Sequence, residues 1–92
     1  MEPLAHALPG ALVDLLRGAP LSKGKVAFAW RAAVGPAVER VTSVFLENGT
    51  LIVETASPQW SREVQRSTPV ILRRLESLLG EGVVGRIETR LK

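Results

Sequence analysis

Catalysis and metal binding start from groups that titrate, attack or ligate, and this 92-residue chain holds few: one histidine, no cysteine and no tyrosine. His6 has only Glu2 within helical reach, whereas a catalytic or metal site needs several converging partners. It reads as an exposed histidine. Without cysteine there is no disulfide framework, thiolate nucleophile or cysteine-based zinc site. Glu47, Glu54 and Glu88 can gather on one sheet face, but Arg86 and Arg90 interleave with them, and cross-strand salt bridges explain that mixture better than paired catalytic acids. No catalytic residue, metal site or cofactor is therefore expected, and the chain does not read as an enzyme. Ser22-Lys23-Gly24-Lys25 invites comparison with a phosphate-binding loop, yet no second glycine and no strand precede it. It reads as a helix start whose exposed lysines, Lys23 and Lys25, attract phosphate.

The arginines are more informative. At about 100° per residue, Arg62, Arg66 and Arg73 fall within about 40° of one another on a helix. They lie opposite the apolar stripe of Trp60, Val64, Ile71, Leu75 and Leu78. Three guanidiniums on one outward face suit phosphate contacts, although a solvated helix back must also be polar somewhere, and Glu63 and Glu76 dilute the charge. Trp30 and Trp60 each sit on the apolar stripe of a helix, so packing explains them better than base stacking.

Several elements must position these residues. Leu8, Leu12, Leu15 and Leu16 recur at helical spacing, with Pro9 suited to a first turn and Gly18-Ala19-Pro20 ending the segment. Ser22 caps a second helix carrying Val26, Ala27, Trp30, Ala33 and Val34, which Gly35-Pro36 stops. Thr42 to Glu47 and Thr50 to Ala56 are strands around Asn48-Gly49, a strong signal for a two-residue hairpin turn. That turn pairs Glu47 with Thr50, Leu46 with Leu51, Phe45 with Ile52, and Val44 with Val53. Alternation sends Val44, Leu46, Leu51 and Val53 to the core and leaves Phe45 and Ile52 on the other face, an exposed apolar pair suited to a partner. Ser57 and Pro58 open a long helical stretch ending before Gly80. Its apolar phase survives Pro69, which favours one kinked helix, or two short helices sharing a buried face. Val84 to Leu91 closes as a strand, with Ile87 and Leu91 on one side and Arg86, Glu88 and Arg90 on the other. Arg86 and Arg90 thereby join Phe45 and Ile52 as candidate partner contacts.

The resulting class is α+β: a two-layer sandwich with a three-stranded sheet, helices packed on one face, and the order α-α-β-β-α(kinked)-β. Residues 1–92 read as one domain, with a core over about 22–91 and an N-terminal helical segment over 1–21. A net charge of +3 and a pI near 10.2 are compatible with nucleic acid without demanding it. No secretory signal and no apolar run approaching the ~18 residues of a membrane span appear, so a cytoplasmic protein is expected.

Taken in order, Trp30, Val34 and Gly35, then Leu46, Gly49, Leu51 and Val53, then Ser57, Trp60 and Glu63, then Val84 and Ile87 form a pattern that resembles the DciA family of bacterial replicative-helicase operators. The resemblance covers about residues 22 to 91. It implies a K-homology-like fold of the second type, loading or operation of the replicative helicase, and affinity for single-stranded or forked DNA. Where K-homology domains carry a nucleotide-clamping Gly-x-x-Gly loop, this chain has Gln65-Arg66-Ser67-Thr68-Pro69, so clamping by that route is not expected. The alternative reading is a protein-interaction domain without nucleic acid, a homodimer or another partnership through the open sheet face.

Overall fold

The computed structural model describes Gly10 and residues 18–92. The first expected helix, with His6, Leu8, Leu12, Leu15 and Leu16, otherwise lies outside the described residues. The second is α1, Lys23–Val34. Ser22 caps it as expected, its Oγ accepting from the Lys25 amide at 3.1 Å. Gly35 ends it at φ +89°, a conformation a side chain would strain, with its N–H on the Arg31 carbonyl at 2.8 Å. Pro36 does more than stop the chain. It opens a five-residue helix, α2, Pro36–Arg40, because a residue without an N–H loses nothing at a first helical position.

Strands β1, Thr42–Glu47, and β2, Thr50–Thr55, form the hairpin in the register that the two-residue turn dictates. Asn48 and Gly49 both take positive φ, 49° and 79°, matching the twist of the flanking strands. Helix α3, Pro58–Leu79, is one continuous helix of 22 residues with Pro69 inside it, which decides between the two alternatives that its phase left open. Ser57 caps it through the Trp60 amide at 3.4 Å, and Gly80, at φ +104°, ends it. Strand β3, Arg86–Leu91, starts two residues later than the apolar run beginning at Val84 suggests. The sheet order is β1-β2-β3, with β1 antiparallel and β3 parallel to β2, so α3 is the crossover that parallel neighbours need. The start of β3 is pinned at the turn: the Gly49 carbonyl accepts from the amides of Gly85 at 2.7 Å and Arg86 at 3.3 Å.

The core lies between the helices and one face of the sheet. Leu51 and Val53 are fully buried there, Val44, Leu46 and Ile87 pack at its margin, and Val64, Ile71, Leu75 and Leu78 of α3 close it from above. Burying such side chains stabilises by about 1.5–3 kcal/mol each. Trp30 is 2% exposed, and its indole N–H donates to Thr42 Oγ1 at 2.8 Å, whose own hydroxyl donates to the Val38 carbonyl at 2.8 Å. One relay thus ties α1, α2 and β1 together. Trp60 departs from the expectation of a second buried tryptophan. It sits in the first turn of α3, half-buried and outside the core cluster, because that turn is where the helix enters rather than where it lies over the sheet.

Candidate nucleic-acid and partner interface

Helix α3 has the two sides that its sequence requires. Val64, Ile71, Leu75 and Leu78 point down into the core, and Arg62, Arg66 and Arg73 are all exposed on the opposite side. The helix is rigidly seated: Thr55 Oγ1, fully buried at the end of β2, shares a hydrogen bond with Ser61 Oγ and donates to the Ser57 carbonyl at 3.2 Å. Gln65 Nε2 donates to Thr89 Oγ1 at 2.7 Å across to β3. Among the described residues, Arg62 and Arg73 form no ion pair, and Arg66 reaches only Glu63, at 3.9 Å. Those two side chains are 77% and 47% exposed, so the pair is solvated and leaves most of the guanidinium's donors available.

Arg74, one position beyond the stripe, has a different task. Its Nη1 donates to the Ala33 carbonyl at 2.8 Å and satisfies an end-of-helix acceptor of α1. Helical phase alone separates it from Arg73, but the role depends on where α1 ends, which phase does not report. Beside this contact, Val34, Val38, Val64, Val70 and Ile71 line a groove of about 330 Å³ between α1, α2 and α3.

The two lysines expected to work together part company. Lys23 is exposed at the start of α1 and lines a larger groove beside β1. Lys25 is 8% exposed, with its ammonium donating to the Ala19 carbonyl at 2.6 Å. The expectation of an exposed Lys25 is therefore corrected: the chain before α1 folds back within reach of its long stem, and the ammonium serves that backbone. None of the three stripe arginines lines the groove that holds Lys23, so the lysine and the stripe are separate features.

On the open face of the sheet, Phe45 is 38% exposed but Ile52 only 4%, so the expected exposed apolar pair is reduced to the phenylalanine. Ile52 occupies the central strand, flanked in register by Phe45 and Glu88, and large neighbours on both sides cover a residue that alternation alone leaves bare. The ion pairs on this face run along β3 and not across strands. Glu88 accepts from Arg86 at 3.4 Å and from Arg90 at 2.7 Å, leaving the two arginine side chains 68% and 54% exposed. Among the described residues, no three acidic or imidazole side chains come close enough together to hold a metal ion. No helix among them is long and apolar enough to cross a membrane.

A family model described as "Dna[CI] antecedent, DciA" matches residues 3–89, nearly the whole chain. The chain belongs to the DciA family. Membership implies a role related to DNA replication and helicase loading, in a family of loader or operator type and not of a known enzyme class. No curated protein matches the chain. The DciA match spans α1 through most of β3, so the helix that carries the arginine stripe lies wholly within it.

Proposed function

We propose that this chain is a non-enzymatic module, a single cytoplasmic domain of a bacterium, that holds DNA by its phosphates and meets the replicative helicase during loading or operation. The observation that carries the DNA half is the outward side of α3, where Arg62, Arg66 and Arg73 stand exposed with one weak carboxylate partner among them. Guanidiniums so arranged neutralise phosphates and release counterions, which makes affinity fall steeply with salt. A K-homology-like fold of the second type is supported by a hairpin followed by a helical crossover to a parallel third strand. The segment at the position of a nucleotide-clamping loop, residues 65–69, is unbroken helix, which favours backbone contacts over enclosure of single bases. The helicase half rests on family membership, and the groove between α1, α2 and α3, apolar apart from Glu63, Ser67 and Arg74, is a surface with room for a partner side chain.

The test is binding to single-stranded and forked DNA across a salt series. The wild type should bind at low salt, and Arg62→Ala with Arg66→Ala should reduce the slope of log K against log salt by about 1.4, at roughly 0.7 per lost contact on single strands. No affinity at low salt would exclude the DNA half. Co-purification with the replicative helicase, with and without single-stranded DNA, tests the other half. The competing reading, an interaction domain without nucleic acid, is favoured by the exposed Phe45. Under that reading Phe45→Glu abolishes partner capture in a protein that shows no DNA affinity to begin with.

A further inference from the structure

Among the described residues, β1 is a margin of the sheet, with β2 on one side and no strand on the other. Which of its backbone groups face outward follows from the hairpin. The two-residue turn makes Glu47 and Thr50 a hydrogen-bonded pair, and the same parity appears past the strand ends, where the Ala56 amide donates to the Val41 carbonyl at 3.1 Å. Ser43, Phe45 and Glu47 thus bond inward to β2. Val44 and Leu46 turn their N–H and C=O groups outward.

Beside that row lies a groove of about 630 Å³, lined by Leu21, Lys23, Val26, Ala27, Val44 and Leu46 with Phe45 at its lip. Leu21 is 54% exposed and Phe45 38%. A bare strand margin with an apolar trench alongside offers main-chain bonds and side-chain burial together.

The charges identify what fits. β1 carries one charge, Glu47, in the run Thr-Ser-Val-Phe-Leu-Glu. If a second β1 pairs antiparallel with the two-fold axis at Phe45, Val44 of each chain meets Leu46 of the other, Glu47 meets Ser43, and the two Phe45 rings lie side by side. No like charges oppose. The other margin refuses such pairing: the same operation about Glu88 of β3 sets Arg86 against Arg90 and Glu88 against Glu88. We infer that two copies of this chain join β1 to β1 into a continuous six-stranded sheet with Phe45 on the two-fold axis.

This dimer is distinct from DNA binding, which the arginine stripe supports in a single chain. It does have a geometric consequence for it. A two-fold axis perpendicular to the sheet leaves both helical layers on one side, so the outward sides of both α3 helices face the same way.

The absence of native cysteine makes the test direct. Phe45↔Phe45 is a pair without hydrogen bonds in the new ladder, where Cα atoms lie about 4.5 Å apart, within reach of a disulfide. The full chain carrying Phe45→Cys should oxidise to a covalent dimer at least tenfold faster than the chain carrying Leu91→Cys on the exposed end of β3. Sedimentation equilibrium of the wild type should give a mass rising toward twice that of the monomer with concentration. Val44→Pro, which removes an outward N–H and no ladder bond of the hairpin, should hold it at the monomer. Amide exchange at Val44 and Leu46 should slow as concentration rises. A wild type that stays monomeric at several hundred micromolar, with the two cysteine variants oxidising at equal rates, would overturn the inference. Slow, concentration-independent exchange at Val44 and Leu46 would also overturn it, since a segment of the same chain would then cover the margin.

Discussion

The inner and outer sides of α3 are built from the same 22 residues and answer to opposite demands. Inward, Val64, Ile71, Leu75 and Leu78 gain stability by leaving water, and their identity is fixed by volume. Outward, Arg62, Arg66 and Arg73 contribute almost nothing to folding and keep their charge available because they remain in water. Stability and ligand affinity can therefore be changed independently on this helix. A substitution on one side should leave the other side's measurement in place.

The strongest way to break that separation is at the centre of the inner side. Leu75→Ala should cost about 2–5 kcal/mol in urea unfolding, while the fraction still folded keeps the wild-type salt dependence on DNA. A changed salt slope would mean that the two sides are coupled. Pro69, exposed on the outer side of the helix seven residues after Arg62 and four before Arg73, acts in the opposite direction. Pro69→Ala restores an amide to the ladder and should raise stability by about 1–3 kcal/mol, read as a higher urea midpoint with unchanged DNA affinity. Thr42→Val removes the acceptor of the Trp30 indole and should cost about 1–3 kcal/mol, again with DNA binding intact. The smallest effect belongs to the outer side. Glu63→Gln takes away the carboxylate near Arg66, so DNA affinity at low salt should rise about two- to threefold, and stability should move by less than about 0.5 kcal/mol.

What could be read from the sequence divides along local and non-local lines. The hairpin register was legible because Asn48-Gly49 admits one turn and a turn of that length admits one pairing. The caps at Ser22 and Ser57 and the stops at Gly35 and Gly80 were legible for the same reason, being decided within a few residues. The arginine stripe followed from helical phase, which Pro69 did not disturb. The misread positions each depend on a neighbour distant in sequence or on what the chain does next. Lys25 is buried because the Ala19 carbonyl comes within reach of its ammonium. Ile52 is covered because β3 brings Glu88 beside it in parallel register, and alternation specifies a face but not what stands next to it. Trp60 shares the phase of the buried stripe, yet phase carries no information about where along α3 the sheet ends beneath it. Pro36 has the sequence signature of a stop, yet its missing amide equally suits a beginning.

The Gly49 carbonyl reaches further than the bend that contains it. By accepting from Gly85 and Arg86, it converts a local reversal of the chain into the docking point for the last strand. The turn and the first residues of β3 therefore form one joint, where the hairpin and the last strand share an acceptor. A side chain that unsettled the positive φ of Gly49 would be felt first as fraying at the start of β3.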